Sequence, residues 1–112
     1  MTAKDCIFCK VIRGEIKSAP VFENESIVAI NDINPLAQIH VLIFPKNHIE
    51  GVLTVSDEDS GDVIAMFKAA AQIVRDKKLE AFRLAFNGGR YQHVPHLHMH
   101  LLAGGSVRWE RL

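Results

Sequence analysis

The run HVPHLHMHLL at residues 93–102 alternates His96, His98 and His100 with Leu97, Met99 and Leu101. Strict alternation is the period of a β-strand with one polar and one apolar face; a helix would bring together residues three and four apart. The three imidazoles therefore project from one side of a strand, about 6.5 to 7 Å apart, while their neighbours enter a core. Upstream, AFRLAFN alternates Phe82, Leu84 and Phe86 against Arg83, Ala85 and Asn87. The two runs read as an antiparallel hairpin, which sets Asn87 on the histidine side near the start of the row.

The rest of the chain supplies more sheet and two helices. Asp5 is placed to cap a short helix from about Cys6 to Arg13, with Phe8 and Ile12 on its buried stripe and Gly14 ending it. APVFEN and SIVAIND read as two strands, and IHVLIFP as a third that Pro45 ends. A long helix opens at Ser56, whose spacing to Asp59 fits a capping box, and runs to about Lys78 with Val63, Phe67, Ala70 and Val74 as its buried stripe. No repeat or Gly/Ser/Pro-rich linker interrupts the sequence, so residues 1–112 read as one domain.

Charge narrows the partners. Thirteen basic and thirteen acidic side chains balance, which removes any general attraction to a nucleic-acid backbone or an anionic membrane and leaves a small molecule as the expected ligand. MTAKDC lacks the pattern of a secretory signal, and no apolar run reaches bilayer length, so a cytoplasmic setting is expected. The two cysteines sit together in CIFC, too close to close a long loop; in a reducing compartment that spacing suggests metal or redox chemistry. The histidine row itself admits two chemistries. Its imidazoles can share a metal ion, or one can be a nucleophile whose neighbours supply hydrogen bonds and protons.

The motif HLHMHLL resembles the His-x-His-x-His-x-x signature, with x apolar, of the histidine triad superfamily of nucleotide hydrolases and transferases. CIFCKVIRGEI is similar to that family's N-terminal helix, INDINPLAQIHVLIFPKNHI to its central strands, and FNGG to its phosphate-side loop. The short chain and LLAGG followed by a tryptophan are most similar to the Hint branch, whose members hydrolyse purine nucleoside phosphoramidates and related nucleoside 5′-phosphate derivatives.

The resemblance implies an α+β fold: a five-stranded antiparallel sheet with one long and one short helix, joined into a ten-stranded sheet across a homodimer. It implies that His98 is the nucleophile, forming a nucleotidyl-histidine that water cleaves, and that His100 and Asn87 contact the phosphate. His96 is expected to orient the row, with His40 as its partner from the neighbouring strand. Asp32 is expected to accept hydrogen bonds from the ribose hydroxyls, and Ile33, Ile27 and Phe22 to line the base pocket. Cys6, Cys9, His48 and His96 match the positions of a structural zinc in many bacterial members, with no metal required for catalysis. His93 stands where relatives carry Ser or Glu, so it is expected to donate a hydrogen bond there and to alter leaving-group preference. The tail SVRWERL, with Trp109 as anchor, is expected to reach the partner's pocket.

Two other readings predict different behaviour. A nucleotide-sensing or zinc-binding module, suggested by the departure from the family pattern at RYQHVP, would bind without turnover. A zinc-dependent hydrolase using the histidine row as its metal site would lose activity to a chelator and regain it with zinc.

Overall fold

A computed structural model of the protein describes residues 5–105. Trp109 and the rest of the tail lie outside the described residues. Helix α1 spans Ile7–Ile12, strands β1, β2 and β3 span Phe22–Glu23, Ile27–Asn31 and Ile39–Pro45, helix α2 spans Ser60–Asp76, and β4 and β5 span Arg83–Ala85 and Met99–Ala103. The strands form one antiparallel sheet in the order β1-β2-β3-β5-β4. This is the expected α+β architecture with one long and one short helix.

Alternation along the strands divides the interior in two. Ile27 and Ala29, Val41 and Ile43, and Met99 and Leu101 meet α2 on one face. Val28 and Phe44 meet Phe8 and Cys9 of α1 on the other, against which Ile30 and Leu42 also pack. The histidines share this second face, because Phe8 sets its ring against both His96 and His98.

α2 differs from expectation in rotation. Its buried residues are Met66, Ala69, Ala70 and Ile73, whereas Phe67 is 49% exposed. VIAMFKAAAQIV is apolar almost all the way round, so periodicity fixes a helix without fixing its inner stripe; the alanines win the sheet side by permitting close approach. The capping box forms as expected, with the Ser56 N–H donating to Asp59 Oδ2 at 2.9 Å, but it opens a 3-10 turn over Asp57–Asp59 before the α-helix begins. At α1 the N-cap is Cys6 rather than Asp5, and Gly14 takes the left-handed conformation that ends the helix, with φ 79°.

The histidine strand is shorter than its alternation suggested. Regular pairing with β3 stops at Ile43↔Met99, because continuing the register would place Leu97 opposite Pro45, which has no N–H to give. The Leu97 N–H instead donates to the Ile49 carbonyl at 2.6 Å. His96 and His98 therefore precede β5, and only His100 lies within it.

Candidate functional site

The histidine face carries a directed chain of hydrogen bonds. The Leu36 N–H donates to His40 Nδ1 at 3.1 Å, so the neutral His40 ring bears its proton on Nε2. That nitrogen lies 2.9 Å from His100 Nδ1 and 3.5 Å from Asp32 Oδ2, both able to accept. His100 then carries its own proton on Nε2, 3.3 Å from Asn87 Nδ2; two donors so close together are satisfied by an acceptor placed before both. His98 Nδ1 lies 2.8 Å from the His96 carbonyl, which can only accept, so His98 keeps its lone pair on Nε2. The rings of His98 and His100 are 5.0 Å apart. One therefore presents a lone pair and its neighbour an N–H donor.

Burial holds these rings neutral. Loss of water pushes His98 below the usual histidine range, against the opposing pull of the His96 carbonyl. His100 falls to about 4, first from burial and then from the neighbouring His98 and His40. His40 is lowered by burial, with Asp32 opposing. The exposed His93 is close enough to contribute to the lowering at both His98 and His100, which places it at the rim.

Beside this row opens an apolar cavity of about 420 Å³, lined by Ile7, Phe8 and Val11 of α1, Ile30 and Leu42 of the sheet, and the turn residues Asp32 and Ile33. Asp32 is half-buried at its mouth. Its Oδ1 accepts the Asn34 N–H at 2.8 Å in an Asx turn that fixes the carboxylate, while Oδ2 stands near His40. An apolar cavity with a fixed carboxylate at its lip suits a planar ring joined to a group that carries a vicinal diol.

On the other side of Phe8, four soft or borderline ligands converge. Cys6 Sγ lies 3.4 Å from His96 Nδ1, Cys9 Sγ lies 3.3 Å from His48 Nδ1 and 3.5 Å from His96 Nδ1, and the two Nδ1 atoms are 3.1 Å apart. Zinc bonds of about 2.3 Å to sulfur and 2.0 to 2.1 Å to nitrogen give tetrahedral edges of roughly this size. His96 Nε2 donates to the Pro45 carbonyl at 2.7 Å, which leaves Nδ1 with its lone pair toward the cluster. Burial, and then Cys6, push the Cys9 thiol up to about 11, so a cation is what would let that sulfur ionise. The four residues fit a zinc ion. Asp32, His40 and His100 also lie close enough to share a metal, but the Leu36 N–H occupies the His40 Nδ1 lone pair and forces a proton onto Nε2. That group is arranged as a hydrogen-bond relay.

Several expectations are thereby placed. His98, His100, His40, Asn87 and Asp32 come together, Ile33 forms part of the cavity wall, and Cys6, Cys9, His48 and His96 form one cluster. The partner of His40 is corrected: it bonds His100, while the His96 ring turns to the cysteines. Phe22 and Ile27 are corrected too. Ile27 is fully buried in the core beneath α2 and Phe22 packs against that core, so neither belongs to the cavity; alternation sends their side chains to the opposite face from Val28 and Ile30. The cavity wall supplied by Phe8, Val11 and Leu42 was missed, although the spacing of Phe8 and Ile12 had already marked α1 as sheet-facing.

The family described as "Scavenger mRNA decapping enzyme C-term binding" matches residues 5–108. A purine nucleoside phosphoramidase of Escherichia coli is 39% identical over 106 residues, covering 91% of this chain and 89% of that protein. An adenosine 5′-monophosphoramidase of Candida albicans is 34% identical over 104 residues, covering 87% and 68%. Among solved structures, a HIT family hydrolase from Clostridium thermocellum is 41% identical, with a TM-score of 0.88 over 93% of this chain and 94% of that one.

Proposed function

The chain belongs to the histidine triad family, and from that premise and its own geometry we propose that it cleaves purine nucleoside 5′-phosphoramidates or related nucleoside 5′-phosphate derivatives through a nucleotidyl-histidine. The observation that carries this reading is the 2.8 Å contact between His98 Nδ1 and the His96 carbonyl. It leaves a neutral imidazole whose outward nitrogen is a nucleophile near pH 7.

The base enters the slot between Phe8, Val11 and Leu42, and Asp32 Oδ2 accepts from the ribose hydroxyls. His98 Nε2 attacks the α-phosphorus as the bond to the leaving nitrogen breaks, and the amine departs with a proton taken up at the rim, where His93 stands. His100 Nε2–H and the Asn87 amide face the phosphate oxygens on which charge develops. In the intermediate the His98 ring is cationic, and the His96 carbonyl bonded to Nδ1–H stabilises it. Water then breaks the phosphorus–nitrogen bond, releasing the nucleoside monophosphate and restoring His98.

Zinc held by Cys6, Cys9, His48 and His96 would brace α1 against the loop before β5, without touching the reacting atoms. Both thiols are free in the structure, which accords with a reducing, cytoplasmic setting. A homodimer is part of the reading. Phe67 and Ile64 of α2 and Phe82 beside β4 are about half exposed, and β4 ends the sheet with an open edge that a second copy can extend.

The test is intact-protein mass spectrometry after rapid mixing with adenosine 5′-phosphoramidate. An adenylyl mass on the wild type that is absent from His98→Ala, with release of ammonia, supports the mechanism. Undiminished turnover by His98→Ala refutes it.

A further inference from the structure

Phe8 belongs to two places at once. Its ring stacks on Phe44 with centroids 4.3 Å apart, presents to His96 at 5.8 Å and to His98 at 5.1 Å, and walls the apolar cavity. Along the chain it sits between Cys6 and Cys9, whose sulfurs lie within 3.5 Å of His96 Nδ1. α1 has six residues and no side-chain cap at its N-terminus, too short to keep its shape unaided. The packing of Phe8 and the two sulfurs fix it to the sheet. His96 is shared in the same way: its ring serves the cluster, and its carbonyl holds the Nδ1–H of His98. None of the four cluster residues lines the cavity.

We propose that the Cys6, Cys9, His48 and His96 cluster, when it holds zinc, positions Phe8 and the His96 carbonyl, so that metal occupancy governs both nucleotide affinity and the alignment of His98. The inference rests on the reading of the cavity as a nucleoside site. The coupling acts through protein: the sulfurs set where the Phe8 wall stands, and the His96 ring sets where its carbonyl points. Linkage makes the effect reciprocal, so a nucleotide in the cavity tightens the hold of the cluster on zinc by the same factor.

The experiment uses the full chain, zinc-loaded and chelator-stripped, with AMP as probe. Calorimetry gives the AMP dissociation constant, nitrogen-15 NMR follows the His98 Nδ1–H, and a chromogenic chelator times zinc release with and without saturating AMP. Stripping is expected to weaken AMP binding about 5- to 150-fold and to lose the protected Nδ1–H signal. AMP is expected to slow zinc release from the wild type but not from Phe8→Leu, which keeps its zinc. Equal AMP affinity in both forms with an unchanged Nδ1–H overturns the proposal. If stripping unfolds the chain, the release assay decides: AMP that leaves the wild-type rate unaltered, or slows Phe8→Leu equally, overturns it. If AMP binds neither form, the nucleoside reading falls separately, and an Nδ1–H that survives stripping overturns the coupling as well.

Discussion

The Nδ1 atom of His98 stands 2.8 Å from the carbonyl of His96, two residues back along the chain. A carbonyl only accepts, so the contact fixes one tautomer and leaves Nε2 as the free base and nucleophile. His98→Ala is expected to lower single-turnover hydrolysis of adenosine 5′-phosphoramidate by at least about 10³-fold. AMP affinity should stay within a few-fold, because the cavity wall is intact. Stopped-flow turnover and calorimetry on the same preparation separate the two effects.

His100 presents an N–H donor only because the Leu36 N–H and His40 orient the relay behind it. His100→Leu is expected to reduce kcat by about 10²- to 10³-fold, the usual loss of one donor to a developing oxyanion. His40→Leu should reduce it less, since His100 keeps its place beside Asn87 but can adopt the other tautomer. Steady-state kinetics with KM and kcat resolved tests the order; a larger effect at His40 than at His100 contradicts the direction of the relay.

The fold was legible where the pattern had one solution. The alternation at 96–101 reads as a two-faced strand; the chain pairs as one only from Met99 onward, yet the face assigned to the histidines is the face on which Phe8 meets His96 and His98. Asn87 opposite the row followed from the same arithmetic. What the pattern could not carry was contact across the sheet. His40 was in view, yet only the register Leu42↔His100 shows which imidazole it meets. The two cysteines gave a spacing, whereas their partners arrive 39 and 87 or more residues later. α2 was harder still, because an all-round apolar helix can turn any of several stripes to a sheet, and the one chosen depends on what the sheet offers.

Asp32→Asn isolates the carboxylate from the turn it anchors. Asn keeps an oxygen for the Asn34 N–H, now 2.8 Å from Asp32 Oδ1, so the Asx turn should survive while the charged acceptor is lost. The expected cost is about 1.5 to 3 kcal/mol in ribonucleotide binding, as for a hydrogen bond to a charged group, with little change for 2′,3′-dideoxyadenosine monophosphate. Calorimetry with both ligands checks it; equal losses would place Asp32 away from the diol.

His100 titrates at about 4 in the folded chain, chiefly through burial, against about 6.5 when unfolded. Below the unfolded value the open chain binds a proton that the folded chain refuses, so stability falls as pH drops from about 6.5 toward 4. The sign is that of a depressed histidine: its unfavourable contribution is absent above about pH 6.5 and grows on acidification. His98 is displaced in the same direction. Urea melts between pH 4 and 7 should therefore show a steeper loss of stability in the wild type than in His100→Leu.

Phe67 lies 49% exposed on α2, its ring 6.4 Å from that of Phe86 just beyond the open-edged strand β4. Two copies that extend the sheet edge to edge would bring these rings under cover, and an exposed Phe and Ile on one helix gain that burial only through a partner. Phe67→Glu leaves the buried residues Met66, Ala69, Ala70 and Ile73 untouched, so the monomer fold should persist while a charge enters the interface. Sedimentation velocity at micromolar concentration is expected to show a dimer for the wild type and a folded monomer for Phe67→Glu. A wild type that sediments as a monomer throughout that range would remove the ten-stranded sheet from the reading and leave the histidine site, which lies within one chain, as it stands.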